Sequence, residues 1–491
     1  MMRQESLRTT LLNAYVLTGV ARACDLLFFL GLLTAFLVEE VGLYSWVAAI
    51  MAFFAILLEL GLSQSLVREF SQRSFGFKSA MRPSFVIRLP VLGVAAGVYL
   101  LWGLFGGVGS REYEAVGLAG AIQVLMLGEA YCVAWMKSRA HQSLANVLAT
   151  CDPVGRLFVF TVLVYGCGIK GIVELLAGIF GFHLFLFITT AVVAWKLVQG
   201  ERQDEPDDLS LLPSTHAFLR SSLMLGIIGL VGVVQNRLDW LIVSTYTGPV
   251  QLAGYSLANK AYEMLVLFMG VAMLTVYPWI CRRDQGVLFR IRVNVILMAL
   301  LIFGTSLSLG SALYLPDLLS LIWGEKYAEA GPLLQWLLPV AAISTAVVIL
   351  YYQLVAREWE QALLVVSIVS AVLQLSINLW LIPRIGPIGA VAGMATLALV
   401  NVTCLSVLAS RARILSSGQI GRGATFLGVM FGLVFLLWRS HAPFQWGVPA
   451  IALIALGTGC SVLFPHREQR WLKAFVMRES SNRFQLRARE A

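Results

Sequence analysis

Nine ionisable side chains stand within apolar runs long enough to cross a bilayer: Arg22, Asp25, Glu129, Asp152, Arg156, Arg237, Asp239, Lys260 and Glu263. His183 lies in another such run. A charge near the bilayer centre costs about 2.5–3.5 kcal/mol on insertion scales. Each must therefore pair, protonate or face a wet cavity. Arginine and lysine in such a cavity bind anions, arginine through a planar fork and lysine as a mobile point charge. Carboxylates there bind a proton or a metal cation.

Three pairs have helical spacing: Arg22 with Asp25 (i,i+3), Asp152 with Arg156 (i,i+4), and Lys260 with Glu263 (i,i+3). Partners so spaced share one helix face, and each pair can neutralise itself with no further role. Glu129 can persist as the uncharged acid, because burial disfavours a carboxylate. His183 reads as a packed or hydrogen-bonded histidine rather than a ligand.

Arg237 and Asp239 differ. Residues two apart point roughly 200° from one another on a helix, so these cannot pair along it. Positions one turn from Arg237 (233, 234, 240 and 241) hold Val, Val, Trp and Leu. Arg237 is therefore expected to face a lumen, and Asp239 to meet another helix or a bound cation. Arg22, Arg156, Arg237 and Lys260 would line one cationic cavity. Asp25, Asp239 and Glu129 are the candidates for coupling to H⁺ or Na⁺.

The elements that hold these residues are membrane helices. Of the 491 residues, 59% are hydrophobic and 13% charged, against about 25% charged in soluble domains. Runs of the ~20 apolar residues a spanning helix needs recur at 11–38, 43–67, 85–107, 113–136, 143–168, 171–195, 217–246, 252–280, 292–315, 331–355, 361–382, 387–409, 423–438 and 445–464. They are long and unbroken, unlike the short alternating strands of a membrane barrel. The reading is an all-α polytopic membrane protein of about 14 transmembrane helices, with two pseudo-symmetric six-helix lobes around a central cavity plus two extra helices.

Basic residues alternate from loop to loop. With a cytoplasmic N-terminus, the cytoplasmic loops hold Arg68, Arg73, Lys78, Arg82, Arg88, Lys137, Arg139, Arg282, Arg283, Arg290, Arg292, Arg411, Arg413 and Arg422. The outer loops hold only Arg111, Lys170, Lys326, Arg384 and Arg439. This positive-inside bias places both ends in the cytoplasm, and it explains the net charge of +9 without a nucleic-acid partner. The seven cysteines lack CxxC spacing and read as apolar fillers, so neither a disulfide framework nor a metal site is expected.

The largest polar break, Gln199 to His216, is acidic and contains Pro206 and Pro213. It divides the chain into an N-terminal lobe (1–198), a cytoplasmic linker (199–216), a C-terminal lobe (217–411), extra helices (412–465) and a basic tail (466–491). The tail segment His466 to Glu479 reads as an amphipathic helix lying on anionic lipid. The lobes begin alike. "RACDLLFF" at Arg22 is followed by "VGLYSWVA" at Val41, and "RLDWLIV" at Arg237 by "AGYSLANK" at Ala253. Both enter from the same side, as in a parallel repeat, and transporters so built carry substrate between their halves. Trp46, Trp102, Trp323, Trp336 and Trp446 lie near span ends, as interfacial anchors do. Pro278, Pro339 and Pro383 are positioned to kink or end helices.

Three stretches resemble a known family. Val41 to Phe70 resembles the second helix of the polysaccharide-biosynthesis transporters, the O-antigen flippase branch of the multidrug/oligosaccharidyl-lipid/polysaccharide superfamily. "LLSLIWGEKYAEAGPLLQWL" from Leu318 resembles their external turn, and "INLWLIPRIGPIGAVAGMAT" from Ile377 their Asn-Leu-x-Leu-Ile-Pro-x-x-Gly-x-x-Gly-Ala segment. The resemblance implies a flippase in the bacterial inner membrane. It would carry a lipid-linked oligosaccharide for O-antigen, capsule or exopolysaccharide synthesis, alongside membrane lipids and polysaccharide polymerase or assembly proteins. Such cargo carries a pyrophosphate, which Arg22, Arg156, Arg237 and Lys260 would hold. The Gly-Phe-x-Arg-Asp signature associated with lipid II flippases is absent; "VARACDLLFF" stands in its place.

No GxxxxGK[ST] loop and no HExxH helix occurs, so the reading has no nucleotide, no metal, no cofactor and no catalytic residue; the protein is not an enzyme. The alternative is an ion-coupled multidrug antiporter on the same fold, which an excess of acids in the cavity would favour. A glycosyltransferase or polymerase would need a large outer domain, and every outer loop here is short.

Overall fold

The computed structural model describes residues 7–59, 89–103 (without 91 and 95), 109–138, 141–201, 215–281, 287–412, 414, 417–439 and 451. All regular structure among them is helical. Nine of the helices are long and apolar enough to cross a membrane. Nearly all of the expected span at 445–464, most of the linker 199–216 and the tail 466–491 lie outside the described residues.

The chain divides into two compact units, residues 1–253 and 254–491. The first contains α1 (Leu7–Ala35), α2 (Val38–Glu59), α3 (Ser110–Ser138), α4 (Gln142–Thr161), α5 (Ile172–Glu201) and α6 (Thr215–Thr247). A π-helical turn, Val162–Gly166, ends α4. Within this unit α1 packs on α4, α3 on α5, and α2 on α3 and α6. α6, which follows the acidic linker, packs on α2.

Small and apolar residues make these contacts. Cys132, Trp135 and Met136 of α3 bury against Ala145 of α4 and Ala194 of α5. Cys132 is thus the packing residue its apolar setting suggests. Gly42 of α2 lies so close to the backbone of Pro249 that a Cβ would overlap the Pro249 carbonyl. Only glycine permits that approach.

The second unit contains most of α7 (Pro249–Cys281), then α8 (Val287–Trp323), α9 (Ala330–Val355), α10 (Glu360–Ile385), α11 (Pro387–Arg411) and α12 (Ser417–Arg439). α9 is its centre, with 61% of its spanning window buried. Its Ala342 and Ile349 pack with Leu297 and Leu301 of α8 and Phe426 and Met430 of α12. α8 runs 37 residues and extends past the expected 292–315, because Pro316 is accommodated within it. The turn in "LLSLIWGEKYAEAGPLLQWL" is therefore short: a 3₁₀ segment Gly324–Tyr327, then α9 from Ala330.

The geometry explains the segment from Ile377. α10 and α11 form a tight hairpin whose only link is Gly386, at φ 67°. Pro383 lies inside α10, in its last turn, and Pro387 opens α11 at a position needing no N–H. A Cβ on Gly389 would sit 2.6 Å from the nitrogen of Ile382, so the returning helix lies directly on α10. Gly393 leaves the space filled by the buried Asn378 side chain. The glycines of this segment thus each have a steric task.

Large apolar side chains point outward: Phe158 and Phe185 are each 67% exposed, and Leu321 82%. Contiguous exposed apolar surface of this kind is not tolerated in water. On spanning helices it is the face that lipid covers.

Candidate functional site

In the first unit the ionisable residues of four helices form one chain of contacts. Arg156 of α4 donates from Nε to Asp152 Oδ1 at 2.7 Å and from Nη2 to Asp25 Oδ1 of α1 at 3.1 Å. Asp25 is also 3.8 Å from Arg22, an ion pair whose arginine is half exposed and therefore of little energetic weight. Beyond Asp152 the chain continues to His183 of α5, whose Nε2 is 3.4 Å from Asp152 Oδ1. His183 Nδ1 is within hydrogen-bonding distance, 3.2 Å, of Glu129 Oε1 on α3. The local i,i+4 pair of α4 is thus part of a longer network. Its partners come from helices distant in sequence and adjacent in space, since α1 packs on α4 and α3 and α4 on α5.

A cavity of about 340 Å³ opens on this network, between α1, α3 and α4. Arg22, Lys137 and Arg156 line it together with Asp25 and Asp152. Three cations against two carboxylates leave a positive site. Thr18, Asn146 and Thr150 add neutral hydrogen-bonding groups. A second cavity of about 530 Å³ shares Lys137, Ala149 and Asp152 with the first and reaches Glu129 and Thr190. Lys137 was assigned to a loop by the sequence. It is in the last turn of α3, and a lysine there can reach along its own helix into a cavity.

The guanidinium carbon of Arg237 lies 4.5 Å from the centre of the Trp240 ring. This is a cation–π contact one turn along α6, where no acid is available. Tyr44 of α2 is within electrostatic reach of Arg156, Asp25, Asp152 and Arg237. Asp239 is buried, and its Oδ1 accepts the Trp240 N–H at 2.9 Å. In the second unit Lys260 is 3.4 Å from Glu263, and Glu263 also accepts from Asn259 at 3.2 Å.

The second unit has its own cavity of about 560 Å³, between α8, α9, α11 and α12. Among the described residues Arg411 is its one charged lining residue, and most of its wall is Leu, Ile, Val, Ala and Met. Among the described residues no group of three or more His, Cys, Asp and Glu is placed to hold a metal ion.

The fold is one already seen. The chain superposes on the lipid II flippase MurJ in an inward closed conformation with a TM-score of 0.67, at 11% identity, over 91% of this chain and 97% of that one. An inward-facing multidrug resistance MATE transporter of the MOP superfamily gives a TM-score of 0.60 at 12% identity, over 81% and 96% of the two chains. A MOP superfamily transporter from Pyrococcus furiosus gives 0.53 at 13% identity, over 82% and 94%. No curated protein matches the sequence. The expected all-α multi-span architecture is therefore present, in the form shared by flippases and drug transporters. Residues 20–283, more than half of the chain, match the profile of the family described as polysaccharide biosynthesis protein, and the chain belongs to that family.

Proposed function

We propose that the protein is a flippase that moves a polyprenyl-pyrophosphate-linked oligosaccharide from the inner to the outer leaflet of a bacterial cytoplasmic membrane, for O-antigen, capsule or exopolysaccharide synthesis. The observation that carries this reading is the positive cavity of the first unit, lined by Arg22, Lys137 and Arg156. Phosphate oxygens match the arginine fork, whereas a cationic drug would meet net repulsion. Arg237 extends the anion-binding surface in the first unit, and Lys260 is the second unit's own candidate cation. Asp25 and Asp239 remain the carboxylates proposed to bind a coupling ion. An inside-negative potential would favour the outward passage of this cargo by about 2.3 kcal/mol per charge per 100 mV.

The test is binding of purified lipid-linked oligosaccharide, and its accumulation in the inner leaflet of depleted cells. Arg237→Ala is expected to reduce both binding and export at matched protein levels, and Arg237→Lys to restore part, since lysine keeps the charge but loses the planar fork. Equal binding of a glycolipid lacking the pyrophosphate would sink the reading. So would full export by Arg237→Ala.

The loop bias supports cytoplasmic ends, which puts Cys167, an exposed residue between the π turn and α5, outside. In a variant retaining only this cysteine, a membrane-impermeant maleimide should label it in intact cells. A cysteine placed at His141, on the opposite connection, should stay unlabelled. The reverse pattern would invert the topology.

A further inference from the structure

We propose that Glu129, His183 and Asp152 form a proton-binding site in the first unit, and that its proton sets how firmly Asp152 holds Arg156. The imidazole of His183 is fully buried. Its two nitrogens face two carboxylates, Glu129 at 3.2 Å and Asp152 at 3.4 Å. The second contact is a charge separation rather than a hydrogen bond, so Nε2 is a buried polar atom with no hydrogen-bond partner. A neutral imidazole has one N–H and one lone pair. With both carboxylates ionised, it can donate to only one of them and must turn its lone pair on the other. An unmet polar group in such a place is costly.

One additional proton removes the conflict, in either of two arrangements. The imidazole carries both protons and lies between two carboxylates. Or Glu129 is the acid, donates to Nδ1, and leaves Nε2–H directed at Asp152. Both hold the same number of protons, and Nε2 is protonated in both. On release the proton passes to water in the cavity of about 530 Å³ that Glu129 and Asp152 line.

The surrounding groups are consistent with this exchange. From α3 come Glu129, Lys137 farther along the same cavity wall, and Cys132 close to Glu129. From α4 come Asp152 and Arg156. α2 contributes Tyr44, near Arg156 and Asp152, and Glu40, which is committed to Arg111 and the Ile172 N–H. The π turn contributes Tyr165, which packs on Phe160. The ring of Phe182 packs edge-on against His183 at 5.5 Å.

Asp152 is the link to cargo. With the proton present it is shared between His183 and Arg156. With the proton gone, its only cationic partner within the network is Arg156, and the arginine is held more firmly against its own helix. Proton loading therefore frees Arg156 for an incoming anion. This second half of the proposal rests on Arg156 binding the cargo pyrophosphate; the first half does not.

Two measurements on the full-length protein in lipid nanodiscs test the two halves. For the proton, ¹⁵N-histidine NMR resolves the five histidines, and His183→Gln identifies the signal. Nε2 of His183 is expected to be protonated near neutral pH, with either a doubly protonated ring or an infrared carboxylic-acid band that Glu129→Gln removes. A neutral ring protonated at Nδ1 alone, with no such band, would overturn the site.

For the link, inorganic pyrophosphate is titrated calorimetrically at mildly acidic and mildly alkaline pH. Pyrophosphate gains negative charge as pH rises, which alone would tighten binding to cations. Wild type is expected to do the opposite, binding about fivefold or more tightly at the acidic pH. His183→Gln should lose that preference, and Glu129→Gln serves the same purpose if the first variant does not fold. An acid preference retained in both variants would overturn the link. Absence of pyrophosphate binding at any pH would overturn the anion-site reading and the link with it, while the NMR result still decides the proton site.

Discussion

Arg156→Ala is expected to abolish glycan export and to weaken binding of the lipid-linked cargo by roughly ten- to a hundredfold. One charged hydrogen bond is worth about 1.5–3 kcal/mol, and each 1.4 kcal/mol is a factor of ten in affinity. Arg156 is also the residue through which α4 reaches Asp25 of α1, at 3.1 Å, while it holds Asp152 at 2.7 Å. Without it, two carboxylates share a cavity left with Arg22 and Lys137. The site then changes from net positive to neutral, and the half-exposed Arg22 does not replace the less exposed fork of Arg156. Loss of folded protein is the competing explanation. A triple variant, Arg156→Met with Asp25→Asn and Asp152→Asn, removes the three central charges together and leaves only the half-exposed Arg22 without its acid, where solvent screens it. Breaking one member of a buried pair is far more damaging than removing the whole set. The triple variant is therefore expected to accumulate in the membrane and still fail to export. Export by the triple variant at wild-type level would show that the network is a structural clasp and not a cargo site.

Glu40→Ala should produce the largest loss of stability among these substitutions, without touching the cavity. Glu40 is the third residue of α2 and is buried. Its carboxylate accepts from the Ile172 N–H, the first residue of α5, at 2.9 Å, and pairs with Arg111 at the start of α3. The beginnings of three helices thus meet on one side chain. An unsatisfied N–H at a helix start is favourable ground for a carboxylate, by hydrogen bonding and by the helix dipole. Alanine removes both interactions. The bond to Ile172 accounts for about 1.5–3 kcal/mol, and the half-exposed Arg111 adds less because solvent screens it. Glu40→Gln keeps an acceptor for Ile172 and should recover about half. Thermal unfolding in detergent, followed by the monodisperse fraction, reads this directly. An alanine variant as stable as wild type would show that water replaces the carboxylate.

The sequence alone determined the solvent, the secondary structure and the repertoire of charges. Runs of apolar residues force helices, because lipid offers no partner to a free backbone group, and the helices stand close to where the runs predict. The pattern from Ile377 was also legible, since Gly386, Gly389 and Gly393 are steric necessities of one local hairpin. The i,i+4 contact between Asp152 and Arg156 followed from helical geometry. What the tertiary structure decided was partnership across helices. Nothing in the sequence around residue 25, 129 or 183 says that Arg156 reaches Asp25, or that Glu129 and Asp152 flank one histidine. His183 read as a packed or hydrogen-bonded histidine, and its partners stayed unnamed because a lone histidine in an apolar run has no neighbour in the sequence to declare them. Glu40 went unnoticed, and Lys137 read only as a loop charge, for a related reason. Each sits at the end of a helix, where charge is expected, and only the packing of three helices turns the one into a clasp and the other into a cavity wall. Spacing along a helix reports contacts within about a turn, and every contact beyond that depends on which helices the fold places side by side.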